Sequence, residues 1–232
     1  MTARDIADFY GRWAGLYDRL ATAPGVARWR RAAAERTATE GDVVVEMGCG
    51  TGANLPYLGD RVGPDGYVIG VDIARPLLDR ARDRVDGYDN VAVVRGDATV
   101  PPIARVDAVL ATFVCGLLSD PAGVVDRWCK VIGPGGGRVA VLDATTSDDP
   151  RGRPLNPLFR AFVAAGAPDG GLGDVLSAPF GRFDEPLTRR VEASRTALAD
   201  RTVDRTFETF GLGFVGLFAG TVEAAEIDHR AG

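Results

Sequence analysis

The sequence predicts an α/β fold, a doubly wound and largely parallel sheet with helices on both faces, on three observations. Short β-branched runs recur at a steady pitch, amphipathic helical stretches separate them, and the first run breaks into a glycine-rich loop. Strand–helix alternation of this kind requires right-handed crossovers between parallel neighbours. At 232 residues the chain suits one well-filled core.

Each element follows from local pattern. Asp5 to Leu20 spaces Ile6, Phe9, Tyr10, Trp13, Leu16, Tyr17 and Leu20 three to four apart, the apolar stripe of a helix. Val26 to Thr37 is a second helical stretch, carrying Arg28, Arg30, Arg31 and Arg36. The period then changes. Asp42 to Met47 reads DVVVEM, a run fit for a parallel strand buried on both faces. It breaks into Gly48-Cys49-Gly50-Thr51-Gly52, with a helix starting near Ala53. Tyr67 to Val71 is a strand ending in Asp72, and Arg75 to Val85 is helical. Val91 to Val94 is a strand ending near Asp97. Ala108 to Phe113 is a strand, Ala122 to Val131 a helix, and Gly133 to Gly137 a turn. Arg138 to Leu142 is a fifth strand, ending at Asp143. Thr145 to Arg190, rich in Gly, Pro and Asp with one helical piece from Pro157 to Ala165, is too long for a bare connection and reads as a lid-like insertion. Glu192 to Asp200 returns to helix, and Arg205 to Val222 reads as two strands around FGLGFVG, a closing hairpin. One domain is expected: a helical cover (1–40), a core (41–143), a substrate-side insertion (144–190), and a closing helix and hairpin (191–232).

Composition narrows the chemistry. A net charge of −5 disfavours a nucleic-acid binder held by phosphate contacts. Lys130 is the only lysine among 27 basic residues, which reads as genome bias before function. Cys49, Cys115 and Cys129 form no CxxC pair and read as buried, reduced thiols of a cytoplasmic protein. The sole histidine, His229, sits in a polar tail, so neither a Ser-His-Asp triad nor a multi-histidine metal site can be built. No signal core and no run of about 18 apolar residues is visible, so no transmembrane segment is expected.

The strand–loop–helix from Val43 to Gly52 is the strongest signal. Glycines let backbone N–H groups approach a ligand, and the next helix N-terminus favours an anionic group. Gly48, Gly50 and Ala53 satisfy the dinucleotide pattern GxGxxG/A, so a nicotinamide-dependent oxidoreductase must be weighed. Glu46, two residues before the first glycine, tilts the balance: a carboxylate there repels a pyrophosphate and attracts a cationic amino-acid headgroup. Asp72, followed by Ile73, ends the second strand and suits ribose hydroxyls in either kind of enzyme. Asp97 can accept from an adenine amino group, and the N–H of Ala98 can donate to a ring nitrogen.

The run EMGCGTG, then GVDIA, then RGDA, then the GPGGG turn resembles the class I S-adenosylmethionine-dependent methyltransferases. The resemblance implies a Rossmann-like seven-stranded sheet with a reversed last strand and S-adenosyl-L-methionine as cofactor. It places Gly48, Gly50 and Gly52 along the methionine part, Asp72 on the ribose, Asp97 and Ala98 on the adenine, and Thr112 and Phe113 beside the methyl group. Within the class the sequence is most similar to the ubiquinone/menaquinone-biosynthesis C-methyltransferases, through Leu16-Tyr17-Asp18, Trp29-Arg30, Leu142-Asp143-Ala144-Thr145, Asn156-Pro157-Leu158-Phe159 and the terminal TFGLGFVGLFAG. Where that group carries Gly-Leu-Arg-Asn after the fourth strand, this chain has Cys115-Gly116-Leu117-Leu118. That departure points to a small lipophilic acceptor, in a pocket between the N-terminal helix, Val114 to Leu118 and Phe159 to Val163.

Methyl transfer asks for a base only when the nucleophile enters protonated. Asp143 is the candidate base and Tyr17 a candidate cover over the cofactor. No metal is expected. Transient contact with a membrane surface and the oligomeric state stay open, as does a non-catalytic cofactor-binding module as an alternative function.

Overall fold

The computed structural model describes residues 25–165 and 184–224. The expected helix over Asp5 to Leu20, with Trp13 and Tyr17, lies outside them, as does His229.

Seven strands form one sheet: β1 (Val43–Met47), β2 (Tyr67–Asp72), β3 (Val91–Arg95), β4 (Ala108–Thr112), β5 (Gly137–Ala144), β6 (Val203–Phe210) and β7 (Val215–Val222). Their order is β3-β2-β1-β4-β5-β7-β6. The first five are parallel, and β7 runs antiparallel to both β5 and β6. The order reverses between β1 and β4, the switch point outside which ligands bind in open α/β sheets.

Helices cover both faces. On one lie α1 (Val26–Thr37), α2 (Leu55–Val62) and α3 (Arg75–Arg84), which bury Ala33, Leu58 and Leu78 against Val44, Leu110 and Leu142. On the other lie α4 (Pro121–Lys130) and α6 (Glu185–Arg201), which bury Trp128 and Val191 against Val45, Val109 and Val141. A last helix, α5 (Asn156–Ala165), follows β5. Strand neighbours therefore alternate between two cores, and the central strands are apolar on both sides because both sides are covered.

Helix ends follow local chemistry. Pro121 starts α4, and the Asp120 side chain caps it by accepting from the N–H of Gly123 at 3.0 Å. Gly63, at φ 68°, ends α2. The helix expected at Glu192 to Asp200 extends to Glu185–Arg201, because Glu185 and Pro186 supply a favourable first turn inside what composition reads as loop.

Candidate active site

The crevice is built at the C-terminal edge of β1, β2 and β4. Glu46, Val44 and the side chains of α1 and α2 share one face of the sheet, so Glu46 points beneath the glycine loop and is fully buried. Its Oε1 accepts from the Asn54 amide and, at 3.0 Å, from the Thr112 hydroxyl. Asn54 Nδ2 also lies 2.9 Å from the Thr112 oxygen, and its Oδ1 accepts from Arg30 Nη1 at 2.6 Å. Oε2 of Glu46 is buried with no hydrogen-bond partner among the described residues. Burial lifts this carboxyl from its ordinary 4.5 to about 7, against the opposing pull of Asn54, Arg30 and Thr112.

Above this network the loop turns sharply, with Gly48, Gly50 and Gly52 all at positive φ. The first and third are demanded by packing: a Cβ on Gly48 would meet Val114 Cγ2 at 2.4 Å, and one on Gly52 would meet Ala81 Cβ at 2.9 Å. A Cβ on Gly50 would meet nothing within 4 Å, so the loop's middle faces open space. Asp72 fixes that middle residue. Its Oδ2 accepts from the N–H of Gly50 at 2.9 Å and its Oδ1 from the N–H of Ala74 at 2.8 Å. Burial raises the Asp72 carboxyl, and these backbone donors oppose the shift.

At the next strand end Asp97 is exposed, and its Oδ1 accepts from the N–H and hydroxyl of Thr99. This turn is pinned to α4 by Trp128 Nε1, which donates to the Ala98 carbonyl at 2.7 Å, and by Arg127 Nε, which donates to the Thr99 carbonyl at 2.7 Å. Phe113, just past β4, sits at φ 58°, a left-handed conformation that costs about 1–3 kcal/mol in a residue with a side chain. Its N–H donates to the Leu142 carbonyl at 2.7 Å, which holds the chain there. Among the described residues no group of His, Cys, Asp and Glu could hold a metal ion.

Residues 44–136, from β1 to the turn before β5, match the family described as a methyltransferase domain. A nocamycin O-methyltransferase of Saccharothrix syringae is 32% identical over 69% of this chain and 59% of its own length. A 2-phytyl-1,4-naphtoquinone methyltransferase of Thermosynechococcus vestitus is 32% identical over 60% of this chain and 64% of its own length. A solved SAM-dependent methyltransferase of Thermotoga maritima, 17% identical, superposes with a TM-score of 0.60 over 93% of this chain and 99% of that one. Residues 44–136 thus carry a methyltransferase domain, within a fold shared with solved SAM-dependent methyltransferases. The chain spans less than two thirds of the length of either curated relative.

In this domain Glu46, Gly48, Gly50, Gly52, Asp72 and Thr112 gather at the C-terminal edge of β1, β2 and β4, beside Phe113. Ile73 follows Asp72, and Asp97 and Ala98 stand one strand farther out. Asp143 lies elsewhere. It shares a face with Val139 and Val141, opposite to Glu46, and is 2% exposed beneath α6. It accepts from the Cys115 thiol, its Oδ2 has no hydrogen-bond partner among the described residues, and burial raises it from 3.8 to about 6 against the pull of Cys115 and the Arg195 charge. In this arrangement it offers no open oxygen to an acceptor, because α6 covers that face. The segment expected to line an acceptor pocket is also mostly packed: Cys115, Gly116 and Leu118 are buried, and Leu117 is half exposed. Asn54 and Trp128 are the contributors that composition and motif do not reveal, and the Trp29-Arg30 likeness gives no role for Arg30.

Proposed function

We propose that the protein binds S-adenosylmethionine across the C-terminal edge of β1 to β4 and transfers its methyl group to a small, lipophilic acceptor. The observation that carries this reading is the unpartnered Oε2 of Glu46, buried beneath the glycine loop. A buried acceptor without a donor is costly, and the ammonium of the methionine moiety supplies the missing donor with complementary charge. The open space over Gly50 supports the same fit. A nicotinamide dinucleotide would bring an anionic pyrophosphate towards that carboxylate, which disfavours the oxidoreductase alternative.

Bound S-adenosylmethionine supplies an electrophilic methyl on a sulfonium, which leaves as a neutral thioether. The chain's own residues bind and orient. Asp72, held by backbone N–H groups, turns its remaining acceptor capacity to the ribose hydroxyls, the turn at Asp97 and Ala98 faces the adenine, and Thr112 and Phe113 border the reacting carbon. Such positioning can supply roughly 7–11 kcal/mol of a barrier. With Asp143 turned away, an acceptor that ionises easily needs no side-chain base. Lipophilicity draws support from the naphthoquinone acceptor named for one relative and from the apolar Phe113 and Val114 at the crevice edge. Three buried free thiols suit a reducing compartment, the cytoplasm, and no helix among the described residues is long and apolar enough to cross a membrane.

Thermal denaturation with ligands tests the reading. S-adenosylhomocysteine at 100 times its dissociation constant should stabilise by about 2.7 kcal/mol, visible as a clear rise in Tm. A rise with NAD(H) and none with S-adenosylhomocysteine would end it. Asp72→Ala should weaken S-adenosylhomocysteine binding by about 1.5–3 kcal/mol, since a charged acceptor of two hydroxyls is lost. Calorimetric titration of the folded variant at unchanged affinity would remove Asp72 from the ribose.

A further inference from the structure

A second opening lies at the same edge of the sheet, two to three strands from the glycine loop. The turn between β6 and β7 emerges beside the C-terminal end of β5, where Ala144 pairs with Val215. Between this turn, the start of α1 and the loop after β5 is a cavity of about 220 Å³. Its lining includes Trp29, Phe210, Leu212, Arg28, Arg151 and Asp149. An apolar cavity of about 150 Å³ holds a benzene, so this one has room for one or two fused rings.

Its wall is built without slack. Gly211, Leu212 and Gly213 all have positive φ. A Cβ on Gly152 would lie 2.1 Å from the Leu212 carbonyl, and one on Gly213 would lie 2.6 Å from Ser147 Oγ. Ser147 Oγ donates to the Leu212 carbonyl at 2.5 Å, and Asn156 brackets the Ser147 backbone at 2.8 and 3.0 Å. The aromatic floor is Trp29 against Phe210, with centroids 6.5 Å apart. The charges are unequal. Asp149 is chelated by Arg151 at 3.0 and 3.2 Å, whereas Arg28 makes no hydrogen bond or ion pair among the described residues. One positive charge is left over beside two aromatic rings. Trp29, Phe113, Ala144 and Phe210 are half-buried against one apolar core, so the cavity and the cofactor-side residue Phe113 rest on the same cluster.

We infer that this cavity seats the planar, anionic end of the methyl acceptor, an aromatic carboxylate or acidic phenolate, with Trp29 and Phe210 against its rings and Arg28 on its charge. The inference rests on the methyltransferase reading for the word acceptor, while the binding itself is measured separately. Full-length protein saturated with S-adenosylhomocysteine is titrated calorimetrically with 2-naphthoate, 2-naphthylmethanol and 2-naphthylmethylammonium. The carboxylate should bind at least tenfold more tightly than the neutral or cationic probe. Arg28→Gln, an exposed change that spares the core, should remove about tenfold of that affinity and leave S-adenosylhomocysteine binding within twofold. Trp29→Ala should weaken all three probes together. Equal affinity for the three probes, no binding of 2-naphthoate, or an Arg28→Gln variant that binds it normally would each overturn the inference. Loss of S-adenosylhomocysteine binding in the unmodified protein would instead count against the methyltransferase reading.

Discussion

Affinity for S-adenosylhomocysteine should rise with pH between 5.5 and 7.5, by up to about tenfold per unit at the lower end, and level off above pH 7. The cause is Glu46, whose carboxyl stands near 7 in the free protein because it is buried. An ammonium group prefers the ionised carboxylate, so at pH 6 binding must first release a proton, and at pH 8 it need not. The sign for the unliganded protein is opposite. A carboxyl raised from 4.5 to about 7 binds more protons folded than unfolded in that window, so its contribution to stability is complete below pH 4.5 and is lost as pH rises through 7. Asp143, raised to about 6, acts in the same direction one unit lower. Glu46→Gln should flatten the pH profile of binding and weaken it by about 1.5–3 kcal/mol at pH 7.5. A pH-independent affinity in the wild type, measured by calorimetry, would show that the headgroup does not meet this carboxylate.

Trp128→Ala should cost about 3–5 kcal/mol of stability, the usual range for deleting a fully buried large aromatic. In a chain of this size that is a fall in Tm of about 6–20 °C. Trp128→Phe separates the two roles of the side chain. Most of the packing against Val45, Val109 and Leu198 is kept, while the hydrogen bond to the Ala98 carbonyl disappears. That variant should lose only about 1 kcal/mol of stability, yet weaken S-adenosylhomocysteine binding, because the turn we propose to face the adenine loses its anchor. A Tm for Trp128→Ala within 2 °C of the wild type would contradict the packing argument. Unchanged affinity in Trp128→Phe would separate α4 from the cofactor site.

Much of the fold was legible because parallel strands covered on both faces leave a strong local signal. The runs at Val43, Tyr67, Val91 and Ala108 are strands within a residue or two of expectation, and α5 covers the expected helical piece from Pro157 to Ala165. The glycine loop was legible for a steric reason, since the turn and the approach of Val114 and Ala81 tolerate no side chain. The same double burial hides the direction of Asp143. Val139, Ala140, Val141 and Leu142 are apolar on either face, so no alternation in β5 marks which side the following acid takes. Arg30 and Asn54 were illegible for another reason. One sits among the arginines of a polar helix and the other just before a helix start, and only the packing of α1 over α2 brings them to Glu46. The half-exposed Leu117 and the buried Cys115 likewise depend on where α6 lies, which sequence spacing does not state.

The position of β7 has a consequence for synthesis. Among the described residues it is the last strand in sequence but not in the sheet, lying between β5 and β6. Until residue 222 has left the ribosome, β5 presents a bare row of amides and carbonyls flanked by Val139, Val141 and Leu142, a template for pairing with a neighbouring nascent chain. β6 emerges earlier, yet it pairs with β7 alone, so it has no place to dock until the hairpin turns back at Gly211 to Gly213. Closure of this sheet is therefore a late, long-range event, and chains stopped short of β7 should accumulate as aggregates rather than as a smaller folded core.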